Sequence, residues 1–250
     1  MAAPIITLLT DFGTADGYAA EVKGVLLALA PGAQIVDASH DIPPQDVELG
    51  RLALARYWRR FPAGTVHLAV VDPGVGSSRA AIAVESDARF LVGPDNGLLS
   101  PALLSGDARV VRLPMSEAAS PTFHGRDVFA PAAAALAAGT PLDYLGAPFA
   151  AAVVRRTPPA HQRPDGLIDG RVIAIDRFGN AITNLVARAG ELDVAGRRLP
   201  VVRTYAEAMD DAPFDLAGSG GLLEIAVRDG SAAARLDIVR NAPVVLHPAR

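Results

Sequence analysis

The sequence predicts an α/β N-terminal domain on a mostly parallel sheet, followed by a small C-terminal antiparallel β-barrel domain. Three observations lead there. Apolar strand-like runs alternate with helix-spaced segments up to Ala138, the pattern of a sheet covered on both faces. Arg155 to Gly166 (RRTPPAHQRPDG) gathers three prolines, a glycine and several charges, as interdomain linkers do. Beyond it the runs are short and strand-like, and long helical patterns are sparse. The expected domains are therefore 1–154 and 167–250, with 155–166 as the linker.

Pro4 to Thr10 (PIITLLT) is a β-branched apolar run ending at a polar Asp-Phe-Gly turn, and reads as the first strand. Tyr18 to Leu29 has apolar residues at helical spacing and stops at Pro31-Gly32. Gln34 to Val36 reads as a strand. Gln45 to Trp58 reads as a helix opened by Pro43-Pro44. Thr65 to Val71, Arg79 to Val84 and Phe90 to Val92 read as strands. Asp127 to Ala138 is an alanine-rich helix with Pro131 near its first turn. In the second domain, strands are expected at Gly170 to Ile175, Leu199 to Arg203, Leu222 to Val227, Ala234 to Val239 and Pro243 to His247.

The 250 residues are half apolar, enough to bury a sizeable core. The net charge of −4 argues against a general nucleic-acid binder, which needs a basic surface. Cysteine is absent, which excludes disulfides, thiolate nucleophiles and iron–sulfur clusters. No His-x-x-x-His or His-x-His pair occurs among His40, His67, His124, His161 and His247, so no metal site is expected. The N-terminus has no basic region before its apolar run, and no stretch is long enough to span a membrane. A soluble cytoplasmic protein with no membrane partner is the expectation.

The polar residues cluster where the strands end. The first strand runs into Thr10-Asp11-Phe12-Gly13-Thr14-Ala15-Asp16-Gly17, and the third into Asp72-Pro73-Gly74-Val75-Gly76-Ser77-Ser78-Arg79. Ligands of doubly wound sheets bind outside the carboxyl ends of the strands, so Asp11, Asp16 and Asp72 are placed along one edge. Asp and Gly also make turns and caps without any further role. Phosphate-gripping glycine motifs are missing. A nucleoside without phosphates suits these carboxylates, because aspartate accepts from ribose hydroxyls and repels phosphate. His124 stands out in Pro121-Thr122-Phe123-His124-Gly125-Arg126-Asp127, a turn before a helix. Gly93-Pro94-Asp95-Asn96-Gly97 is read as a tight turn. In the second domain, Asp176-Arg177-Phe178-Gly179-Asn180 closes a strand, and Gly218-Ser219-Gly220-Gly221 leads into Leu222 to Val227.

Taken in order, TDFGTADGY, VVDPGVGSSR, GPDNG, PTFHGRD, IDRFGNAITN and GSGGLLEIAV closely resemble the S-adenosyl-L-methionine (SAM) hydroxide adenosyltransferases. These are SAM hydrolases that form adenosine, related to SAM-dependent fluorinases and chlorinases. The likeness runs from about residue 4 to about residue 240. It implies a homotrimer holding SAM between the N-domain of one subunit and the C-domain of the next. It needs no cofactor, since SAM is the substrate. Carried over by motif, Asp72, Arg79 and His124 would be the hydrolytic triad. Asp11 would hold the ribose hydroxyls. Asp16 and Asp176 would lie near the methionine ammonium. Asn180 would bind from the C-domain, and Tyr205 would pack on adenine. Ser219 and Glu224 would contact the methionine or adenosine, and Val227 would offer backbone groups to adenine.

Departures from the halogenating relatives point the same way. Those relatives carry tyrosine where Asp72 stands, and fluorinases carry serine where Gly125 stands. The long fluorinase insertion is absent between the strands joined by Glu85 to Arg89. A carboxylate beside the halide position would repel the incoming anion, which favours water as nucleophile. A SAM-dependent halogenase and a non-catalytic SAM or adenosine binder are the alternatives. Whether Asp72 or His124 takes the water proton stays open at this point.

Overall fold

The computed structural model describes residues 3–208 and 210–249. The chain divides into two compact units between Arg156 and Thr157. The first contains β1 (Ile5–Thr10), α1 (Tyr18–Leu29), β2 (Gln34–Ser39), α2 (Val47–Tyr57), β3 (Val66–Val70), β4 (Ala81–Ser86), β5 (Arg89–Pro94), α3 (Ser100–Leu103), β6 (Arg109–Arg112), α4 (Ala130–Ala137) and β7 (Ala147–Pro148). Its strands lie in the order β2-β1-β3-β5-β4-β6-β7. Ile6, Leu8, Leu68 and Val70 pack on one face beside Val22, Leu26, Ala133 and Leu136. Leu9, Ala69, Ile82 and Leu91 pack on the other beside Leu54, Trp58 and Ala102. Both faces are thus covered, as the continuous apolar strands required.

The sheet is mixed, which corrects the expectation of a mostly parallel one. β1 pairs in parallel with β2 and β3, and β3 with β5. The pairs β4–β5, β4–β6 and β6–β7 are antiparallel. The reason lies in one short connection. Only Asp87 and Ala88 separate β4 from β5, both with positive φ, and a two-residue turn joins only antiparallel neighbours. Neither residue is glycine, so the usual hairpin mark is missing from the sequence.

The helices follow their local chemistry. Ala19, Val22 and Leu26 form the buried stripe of α1. The Asp46 carboxylate caps α2 by accepting the Leu49 amide at 3.0 Å. A π turn at Gly125–Phe129 precedes α4, which carries Pro131 in its first turn.

The second unit contains β8 (His161–Gln162), β9 (Ile168–Ile175), β10 (Ala181–Val186), β11 (Gly190–Val194), β12 (Arg197–Leu199), β13 (Phe214–Ala217), β14 (Leu222–Ala226), α5 (Ala232–Leu236) and β15 (Pro243–Pro248). The strands form an antiparallel sheet in the order β12-β11-β15-β9-β10-β14-β13, with β8 alongside β9. A bridge between Val201 and Asp215 brings the chain after β12 against β13, so the sheet nearly closes into a barrel. Val172, Leu185, Leu192, Ile225 and Leu246 belong to its core.

Two strand expectations are corrected here. Ala234 to Val239 contains no strand; its first residues belong to α5. The Ser231 hydroxyl caps that helix by accepting the Ala234 amide at 3.1 Å, and three alanines favour it. Leu199 to Arg203 forms no continuous strand, because Pro200 ends β12 and only the Val201 bridge follows. His161–Gln162, inside the segment read as linker, pairs with β9.

Asp215 is fully buried, and neither of its side-chain oxygens has a hydrogen-bond partner. Burial pushes its carboxyl up to about 7, with the Glu191 charge adding to the rise. An unfolded aspartate ionises near pH ~3.9. Between those values the folded chain keeps a proton that the unfolded chain gives up, so stability falls as pH rises through the window. Asp215→Asn is expected to remove that fall, worth on the order of 3 kcal/mol between pH ~4 and ~8. Urea unfolding of both proteins across this range measures it; identical pH slopes would contradict it.

Candidate active site

Parallel pairing of β1 with β3, in the register Thr10↔Val70, sets their carboxyl ends side by side. The segments beginning at Asp11 and Asp72 therefore leave the sheet at one edge, where α/β folds bind ligands. After Asp72 the chain turns through Gly74 to Ser78 and re-enters the sheet at Ala81, which returns Arg79 to face Asp72.

Arg79 Nε donates to Asp72 Oδ1 at 2.9 Å, and Nη2 donates to Oδ2, making a two-pronged pair. Nη2 also lies 2.8 Å from His124 Nδ1. Nη1 donates to the Ala80 carbonyl at 3.2 Å. The guanidinium carbon stands 5.1 Å from the Phe129 ring centroid. The Asp72 and Arg79 side chains are only 6% and 10% exposed, and His124 is buried.

A guanidinium can only donate, so His124 Nδ1 accepts and the neutral ring carries its hydrogen on Nε2. Burial, then the Arg79 charge, hold the His124 pKa below its ordinary value, against the pull of Asp72 and Asp127. The imidazole is thus kept neutral and oriented.

Gly76 brings the His124 turn into place. It has φ +76°, and a Cβ there would sit 2.6 Å from the Pro121 carbonyl oxygen. Only glycine allows the Asp72–Arg79 loop to lie so close to the segment that carries His124. Asp127 closes that segment by accepting the Ser120 amide at 2.8 Å and pairing with Arg126.

The β1 turn contributes further groups. Asp11 Oδ2 accepts the Gln45 amide at 2.7 Å, while Asp16 is exposed. Phe12, Tyr18 and Phe123 meet edge to face, with centroids 5.4 to 6.2 Å apart. This aromatic triangle was not read from sequence, because Phe123 comes from a segment more than a hundred residues from Phe12 and Tyr18. Asp95, read only as a turn residue, is buried and accepts the Val153 amide at 2.7 Å. Burial raises its pKa, opposed by that amide and by the positive field of Arg79. Arg79 also borders a cavity of about 440 Å³ walled by Arg112, Met115 and Tyr144.

In the second unit, Asp176 follows β9 and organises a tight turn. Its Oδ1 accepts the amides of Phe178 and Asn180, each at 2.9 Å, and its Oδ2 accepts Asn180 Nδ2 at 2.9 Å. The same Nδ2 lies 3.3 Å from the Tyr205 hydroxyl. Tyr205 meets Phe214 edge to face at 5.9 Å. Burial raises the Tyr205 pKa, and the Glu224 and Asp176 carboxylates add to it. Asp176, Asn180, Tyr205 and Glu224 are therefore one cluster. Gly218 leaves room for Glu224, since a Cβ there would stand 1.9 Å from Glu224 Oε1. Ser219 lies exposed in the β13–β14 turn. Val227 is buried and bridges Gly230 just after β14.

Among the described residues no three His, Asp or Glu side chains converge as a metal site, and no helix is long and apolar enough to cross a membrane. His67 is fully buried in β3, its Nδ1 2.8 Å from the Thr7 hydroxyl, and burial lowers its pKa to about 4. It is a core residue.

Residues 6–146 match the SAM hydroxide adenosyltransferase N-terminal domain, and residues 170–245 match the C-terminal domain. The chain belongs to this family. It is 44% identical to an (R)-S-adenosyl-L-methionine hydrolase of Thermus thermophilus, over 96% of this chain and 98% of that protein. It is 43% identical to a hydrolase of the same name from Salinispora arenicola, over 92% of each. A fluorinase of Actinopolyspora mzabensis is 30% identical over 73% of this chain and 71% of that protein. The fold is that of an uncharacterized conserved protein from Thermotoga maritima, with TM-score 0.88, 30% identity and coverage of 96% and 99% of the two chains.

The pairing with Arg79 makes a sharp expectation for His124. Its ring should titrate below the ordinary histidine value of about 6.5. Replacement Arg79→Gln removes one of the two lowering causes and should move it upward. Imidazole proton shifts followed by NMR against pH measure both; an unchanged value in the variant would contradict the contact.

Proposed function

We propose that the protein hydrolyses SAM to adenosine and L-methionine by attack of water at C5′, opposite the departing sulfur. The observation that carries this reading is the Asp72–Arg79–His124 array at the carboxyl edge of β1 and β3. The high identity to proteins named SAM hydrolases supports it. The C5′–S bond breaks as a C5′–O bond forms, its electron pair neutralises the sulfonium, and one water proton is released. Methionine leaves as a neutral thioether, so no general acid is required.

The chain's own groups then have two tasks, to place the water and to take its proton. His124 Nε2–H is a donor for the water oxygen, because Nδ1 is already occupied by Arg79. That leaves Asp72 as the better proton acceptor: each of its oxygens accepts from Arg79 and keeps a second lone pair. Arg79 holds both partners and stabilises the negative charge that develops on the attacking oxygen. Positioning and proton removal contribute separately to the rate.

In the same reading Asp11 accepts from the ribose hydroxyls, and Asp16 lies near the methionine ammonium. Asp176, Asn180, Tyr205, Ser219, Glu224 and Val227 form the second half of the pocket around adenine and methionine. The working assembly is a homotrimer in which neighbouring subunits supply the two halves. SAM is the substrate, no cofactor takes part, neither nucleic acid nor membrane is a partner, and the setting is cytoplasmic.

Asp72→Asn and His124→Ala should each lower methionine release by about 10²–10⁴-fold while SAM affinity stays within several fold. Undiminished turnover in both would discard the array. With SAM and chloride, chromatography should show adenosine; 5′-chloro-5′-deoxyadenosine as the main product would make the protein a halogenase. Tight SAM binding without turnover over many hours would make it a binder.

A further inference from the structure

The Asp11 turn is backed by a chain of polar contacts that the triad does not use. Ser39 pairs with Leu9 where Asp37 pairs with Leu8, so Ala38 is an extra residue in the end of β2. Such an irregularity re-aims the following side chain, and His40 comes to lie buried against the last residue of β1. Its Nδ1 is 2.8 Å from the Thr10 hydroxyl. Its carbonyl accepts the Gly13 amide at 2.8 Å. The Thr10 hydroxyl in turn accepts the Phe12 amide at 3.2 Å. Asp11 is thus flanked on both sides by groups anchored to His40.

The outer end of the chain is charged. Asp37 Oδ1 stands 3.1 Å from His40 Nε2, off the ideal hydrogen-bond line, and Lys23 Nζ donates to Asp37 Oδ2 at 2.6 Å. These contacts give each hydrogen a direction. The Asp37 carboxylate can only accept, so the neutral His40 ring carries its hydrogen on Nε2, facing Asp37, and its Nδ1 accepts the Thr10 hydroxyl hydrogen. Thr10 is almost fully buried and occupied on both sides, so it is no nucleophile despite the Thr–His–Asp composition.

We infer that Asp37 and His40 are positioning residues that fix the Thr10 hydroxyl and, through the Thr10–Gly13 turn, aim the Asp11 carboxylate at the ribose diol. This rests on the reading of Asp11 in the proposed function. Asp37 sets the tautomer of His40, the tautomer makes Thr10 a donor to the ring, and the ring holds the turn. An asparagine at 37 presents an amide that can donate to Nε2, which favours the opposite tautomer; Thr10 Oγ1 then accepts from the ring as well as from Phe12, and its own hydrogen loses the ring as partner.

The test compares adenosine with 2′,3′-dideoxyadenosine, which lacks the diol, by calorimetry on the intact protein. Wild type should prefer adenosine. Asp37→Asn should lose about tenfold in adenosine affinity, the scale of a weakened hydrogen bond to a charge, and leave dideoxyadenosine affinity unchanged. KM for SAM should rise by a similar factor, with kcat falling by less. Asp37→Glu should restore most of the preference. Lys23→Met, at the exposed end of the chain of contacts, should shift it in the same direction by less, and serves if Asp37→Asn folds poorly. Equal loss for both nucleosides, or no loss for either, overturns the inference while leaving the hydrolase reading intact. A wild type that does not distinguish the two nucleosides overturns the role of Asp11 itself, and the inference with it.

Discussion

The site depends on one guanidinium. Arg79 grips both oxygens of Asp72, donates to His124 Nδ1 and rests over the Phe129 ring. Three segments of chain meet on it: the end of β3, the start of β4 and the turn before α4. A lysine cannot replace it, because a point charge lacks the planar fork that engages a carboxylate and an imidazole together. Taking such a pair out of water is costly, and a buried ion pair is weak evidence of stability. Its value here is orientation: it fixes the tautomer of the histidine and the plane of the carboxylate.

The backbone supplies what the guanidinium needs. Parallel pairing of β1 and β3 puts Asp11 and Asp72 on one edge. Gly76 lets the two loops touch at the Pro121 carbonyl. The hairpin between β4 and β5 matters as well, since it returns the chain to the Gly93–Gly97 turn and buries Asp95 within the field of Arg79. The antiparallel half of the sheet thus has a place in the electrostatics of the site. The second unit solves a similar problem with a carboxylate alone: Asp176 collects two backbone amides and the Asn180 side chain, and so holds Asn180 beside Tyr205.

Much of this was legible from residue order. β1, α1, α2 and β3 follow from local apolar period and caps, and their ends fall close to the expected positions. The change from an α/β half to a β-rich half was legible too. What failed was non-local or unmarked. The β4–β5 turn lacks glycine. Ala234, Leu236 and Ile238 alternate like a strand, yet alanine propensity and the Ser231 cap made the segment helical before its last residues. Asp95 looked like any turn residue because its burial comes from the strand edge and the Val153 segment, not from its neighbours in sequence.

The sequence by itself determined the chemical inventory and its family: a chain without cysteine, with aspartates at two strand ends, and with an Asp, an Arg and a His in three separate motifs. Those are properties of residue type and spacing, which a linear string carries in full. Only the tertiary structure decided that the three side chains share hydrogen bonds, that His124 keeps its hydrogen on Nε2, and that His40 stands behind Asp11. Such facts depend on distances of about 3 Å between residues tens of positions apart. No local preference encodes them; they follow from strand register, a bulge at Ala38 and the close approach at Gly76.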